Sequence, residues 1–159
     1  MKALRITAAA LATVGVLASG GTNVARAEDA AMKQDPQIQK MMGDNLANVQ
    51  FILAALIQSN YADLPERLRS IEAHAADLTQ NVPASAEADR DRFVGYAYNL
   101  RGHAADLRSI AALLVEHDAA HPAGEIVTDQ LREAAAAHYG GMVTMCVTCH
   151  NSFRPLAER

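Results

Sequence analysis

The chain has 159 residues, 14 Lys and Arg against 18 Asp and Glu, and a formal charge of −4 with histidine neutral. An acidic balance argues against nucleic acid and anionic membrane surfaces as partners, and the length suits one domain. Alanine is abundant, tryptophan is absent and aromatic residues are only 4%, a helical composition whose core must be filled by Leu, Ile, Met and Ala, with room for a cofactor to help.

Residues 1–27 read as a secretory signal peptide. Lys2 and Arg5 give the positive start, residues 6–20 are small or apolar without charge, and Ala25-Arg26-Ala27 is a cleavage site ahead of Glu28. The apolar run is shorter than the about twenty residues of a membrane span, and charges interrupt every later one. The expectation is a periplasmic, non-membrane protein whose mature domain is residues 28–159. Cleavage removes three cations and no acid, leaving 11 Lys and Arg against 18 Asp and Glu and a formal charge of −7.

Asp35-Pro36 starts the first predicted helix, with proline at its first position. It runs to about Ser59 along the seam Met42, Leu46, Val49, Leu53, Leu56. A second helix opens at Asp63, which with Glu66 forms a capping box, and follows Leu64, Leu68, Ile71, Ala75, Leu78 to a stop at Asn81-Val82-Pro83. Ser85 caps a third, with Phe93, Tyr96, Leu100, His103, Leu107, Ile110 and Leu114 inward, ending near His117-Asp118. After a linker through His121-Pro122 and Gly124, a fourth helix starts between Glu125 and Asp129. Leu131, His138, Met142, Met145, Cys149 and Phe153 share one side, and Pro155 ends it. Short connections and near-heptad spacing predict an all-α, antiparallel, left-handed four-helix bundle.

The chain's only two cysteines, Cys146 and Cys149, lie on the last helix with His150 directly after. Four fates are open to them. A C-x-x-C disulfide can form in an oxidising compartment and stays open as a chance pairing, but the redox motif opens a helix after a strand, whereas this one closes an all-α chain. Structural zinc takes four N or S ligands, and no second pair exists. A catalytic thiol needs no second cysteine at this spacing. The fourth fate is covalent haem, for which C-x-x-C-H is the attachment signature. Residues three apart share a helix face, so both sulfurs reach one haem edge and His150 turns under the ring as the proximal iron ligand.

A C-terminal C-x-x-C-H-x-x-F-R on the last helix of an exported four-helix bundle resembles cytochrome c′ and its low-spin relatives. Here the motif is Cys146, Cys149, His150, Phe153 and Arg154. The resemblance implies one covalent haem c per chain, Arg154 near the haem, and Phe153 packed on the bundle. It also implies that a first-helix side chain faces the far side of the iron. A methionine there, Met42 or Met41, would make the iron six-coordinate and favour electron transfer. An apolar residue such as Leu46 would leave it five-coordinate and open to nitric oxide or carbon monoxide. Gln39-Lys40 stands where the family often carries Arg-Gln. Subunits of the family often pair through their first two helices, which implies a homodimer.

Two further features stand out. Gly140-Gly141 lies inside the fourth helix, where glycine is about 1 kcal/mol worse than alanine, so either a neighbouring helix or the haem edge comes close there, or the pair is simply tolerated or marks a local kink. The words AHAADL (73–78) and GHAADL (102–107) place His74 with Asp77 and His103 with Asp106. If they converge, they make a copper or zinc site; alternatively they are a chance repeat on alanine-rich helices, with His103 a core histidine. His138 shares the haem motif's side. No Ser-His-Asp set or paired buried carboxylate argues for an enzyme. The leading expectation is therefore a monohaem electron carrier with an unassigned redox partner. Gas binding comes second, and a metal-binding bundle third.

Overall fold

The computed structural model describes residues 36–121 and 129–153. They form four α-helices and one 3-10 turn: α1 Pro36–Gln58, α2 Leu64–Gln80, the turn Ala84–Asp89, α3 Arg90–Ala120 and α4 Asp129–Phe153. Among the described residues there is no strand, and no helix is long and apolar enough to cross a membrane. The expected signal peptide over residues 1–27, Asp35, residues 122–128, Arg154 and Pro155 lie outside them.

The helix ends depart from expectation in instructive ways. Asp63 adopts helical angles and makes no side-chain cap bond. A capping side chain needs an extended backbone to fold back on the first turn, so the capping box does not form. The third helix does not start at Ser85: residues 84–89 wind as a 3-10 segment first, and α3 then runs three residues past His117. α1 ends at Ser59, which has a φ of 53°. The Asn60 N–H donates to the Ala55 carbonyl at 3.0 Å, the long-range bond of a Schellman motif in which Ser59 stands where glycine is usual.

α3 is the central helix. It packs along both α2 and α4. α2 buries Leu64, Leu68, Ile71, Ala75 and Leu78, the expected seam. α3 buries Ala97, Ala104 and Ala111 between Leu100, Leu107 and Leu114, where Tyr96, His103 and Ile110 were expected. Each alanine lies one residue after the expected position. Small residues let two neighbours approach α3 closely, and the bulkier side chains move to its half-buried flanks. Full burial of each leucine contributes about 2 kcal/mol. An ion pair from Arg108 Nε to Glu72 Oε1, 2.5 Å, joins α3 to α2 outside this core.

α1 is held differently. Its inward residues are Met41, Asn45, Asn48, Ile52 and Ala55, one position before the expected seam throughout. Polar bonds to α2 set this rotation. His74 Nδ1 lies 2.6 Å from Asn45 Oδ1, Asn48 Nδ2 donates to Ser70 Oγ at 3.3 Å, and Arg67 donates to Asn48 Oδ1 at 3.4 Å. The Arg67 guanidinium also stacks over Phe51 at 4.7 Å. Leu46 is left 60% exposed and Leu53 42%. Toward α4, α1 makes lighter contact, including a 3.4 Å bond from Tyr139 Oη to the Val49 carbonyl.

Candidate functional site

A cavity of about 620 Å³ lies between α1 and α4. Met42, Gly43, Asn45, Leu46 and Val49 of α1 form one wall. Val143, Met145, Cys146, Val147, Cys149 and His150 belong to the α4 wall. Phe93, Tyr96, Ala97 and Leu100 of α3 and Leu78 of α2 complete the lining. Most of these side chains are apolar, so the site favours a large apolar occupant with few polar anchors.

The sequence motif falls on the α4 wall. Cys146 and Cys149 lie within one continuous helix, so their side chains share a face. Both are half-buried and free, and His150 beside them is exposed. Burial pushes the Cys146 thiol above its ordinary value. Burial and then the nearby Cys146 push Cys149 up to about 11. The negative end of the α4 dipole disfavours a thiolate too. Both shifts run opposite to the activation that a reactive cysteine needs. Among the described residues, no three or more His, Cys, Asp or Glu side chains are grouped to hold a metal ion.

No family model, curated protein or solved structure matches the chain.

The two methionines separate. Met41 is 6% exposed and packs into a cluster with Leu78, Ala86, Phe93 and Ala97. It does not line the cavity, whereas Met42 and Leu46 do. Phe153 anchors the end of α4 to α3, with its ring 5.3 Å from Phe93 edge-on and 6.2 Å from Tyr96, under Arg92 at 5.4 Å. Arg154 falls outside the described residues.

The repeated His-Ala-Ala-Asp words do not converge. His74 turns to Asn45 on α1, and Asp77 accepts a 2.7 Å bond from Asn81 at the end of its own helix. His103 instead meets α4: its ring atoms lie 2.5–2.7 Å from where a Cβ on Gly141 would sit. Asp106 faces His138 Nδ1 at 3.5 Å. The four side chains thus have separate partners among the described residues. The close neighbour expected at the glycine pair is the His103 imidazole, and it concerns Gly141 alone, since nothing lies within 4 Å at Gly140.

Asn45 is the cavity residue that the apolar pattern hid. Its sequence signal was the polar pair Asn45 and Asn48, three apart and one step off the leucines. A buried asparagine must find hydrogen bonds, and both find them on α2.

Proposed function

We propose that this chain is an exported monohaem c-type cytochrome that carries single electrons. On this reading Cys146 and Cys149 hold haem c by thioether bonds and His150 is the proximal iron ligand. The carrying observation is that these three residues line one wall of an apolar cavity whose opposite wall offers Met42 and Leu46. The cavity volume is within the about 300–1,000 Å³ common for cofactor sites. The haem, when bound, supplies a one-electron iron couple.

The chain's own residues have definable tasks. Cys146 and Cys149 would hold the haem, each through one thioether bond. Phe93, Leu78 and Leu100 exclude water. Met42, rather than Met41, is the candidate distal ligand.

The fold that suits this reading is an antiparallel, left-handed bundle. Asn45 with His74 and Asn48 with Arg67, then Phe93 with Phe153 and Asp106 with His138, support the antiparallel direction: numbering rises along one helix as it falls along its neighbour. A second reading, a five-coordinate iron that binds nitric oxide or carbon monoxide, is favoured by Leu46 and Val49 lining the same wall as Met42.

Absorption spectra of the reduced protein, with and without carbon monoxide, test the choice. A low-spin spectrum that Met42→Ala turns high-spin supports the electron carrier. A high-spin spectrum in the unaltered protein supports gas binding, and no haem spectrum at all rejects both.

A further inference from the structure

Asn45 is 6% exposed and lines the apolar cavity. A buried carboxamide is costly unless its polar atoms are bonded. Its Oδ1 lies 2.6 Å from His74 Nδ1. A carboxamide oxygen only accepts, so His74 carries a proton on Nδ1 and donates it. Among the described residues this is the only hydrogen bond of the Asn45 side chain.

Asn48, one turn on, makes the contrast. Its Nδ2 donates to Ser70 and its Oδ1 accepts from Arg67, so both ends serve the α1–α2 seam. Asn45 uses only its oxygen there. Among the described residues the two protons on its Nδ2 have no protein acceptor, and the residue lines the cavity. The adjoining wall residues Met42, Gly43, Leu46 and Val49 have no side-chain donor.

We propose that Asn45 is a specificity-determining hydrogen-bond donor of the cavity, and that His74 is the residue that positions it. The ligand class is a small molecule with an acceptor atom, such as carbon monoxide, nitric oxide or dioxygen, bound on the α1 side. This rests on the gas-binding reading of the haem site above and deepens it. His74 fixes the amide by holding its oxygen, which leaves the nitrogen facing the ligand before the ligand arrives.

The test uses the haem-loaded ferrous protein, in the unaltered chain and in a Met42→Ala background where a thioether cannot block entry. Carbon monoxide stretching frequency and nitric oxide dissociation rate are measured for Asn45→Leu, His74→Phe and His74→Asn. Loss of the donor in Asn45→Leu raises the stretching frequency and speeds dissociation about fivefold. His74→Phe frees the amide to rotate and splits the carbonyl band. His74→Asn, which keeps a donor near the Nδ1 position, restores the single band. Nitrogen-15 NMR of the unaltered chain shows the His74 Nδ1 proton whether or not haem is bound. Unchanged frequency and rate in fully loaded Asn45→Leu overturn the inference alone, as does a His74 ring protonated only at Nε2. Absence of haem overturns the cytochrome reading and this inference with it.

Discussion

The imidazole of His103 occupies the space where a side chain on residue 141 would begin, with Cε1 2.5 Å from that Cβ position. Glycine at 141 thus lets α3 and α4 close on each other beside the cavity. The His103 ring is itself confined, 5.8 Å from the ring of His138.

Adjacent glycines therefore respond oppositely to alanine. Gly140→Ala meets nothing and stabilises by about 0.5–1 kcal/mol through helix propensity. Gly141→Ala gains the same propensity but displaces His103, and lowers the melting temperature. Combining it with His103→Ala removes the clash, so a double-mutant cycle by denaturant unfolding gives a coupling of about 1 kcal/mol or more.

Ser59 holds a left-handed conformation at the end of α1. A non-glycine residue there is strained by about 1–2 kcal/mol, and glycine relieves it at some entropic cost. Ser59→Gly raises stability by up to about 1 kcal/mol in urea unfolding, and Ser59→Val lowers it.

The haem-free chain reports its buried thiols through pH. Cys149 titrates near 11 when folded against an ordinary 9.0. Below pH 9 both states keep the proton and the thiol leaves stability unchanged. Between 9 and 11 the unfolded chain releases it first, so stability falls as pH rises. At pH 7.5 alkylation of folded Cys149 by iodoacetamide is on the order of a hundredfold slower than of the urea-unfolded chain.

Met41 and Met42 are separable by experiment. Met41→Ala leaves a hole beside Phe93 and Leu78 and lowers stability by about 2 kcal/mol or more, with the haem spectrum retained. Met42→Ala lowers it less and changes the spectrum.

The seam of α2 was fully legible because its inward residues are its apolar ones. α1 was misread by one position because apolar spacing cannot register the bonds from Asn45 and Asn48 to His74, Ser70 and Arg67. α3 was misread where bulk was taken for burial: Ala97, Ala104 and Ala111 lie inside, and Tyr96, His103 and Ile110 flank them. The placement of Cys146, Cys149 and His150 on one helix followed from their spacing. The divergence of the two His-Ala-Ala-Asp words did not, since it depends on which neighbour each helix face meets. Nor did the choice between Met41 and Met42, which turns on the rotation of α1.

Peptide mass spectrometry of the protein, expressed from its full 159-residue sequence in a host that attaches haem, tests the central claim most directly. The account predicts that the peptide containing Cys146 and Cys149 carries one haem through both sulfurs after denaturation, and that Cys146→Ser/Cys149→Ser abolishes it. Two free thiols, or a disulfide between them, in the same preparation would contradict it.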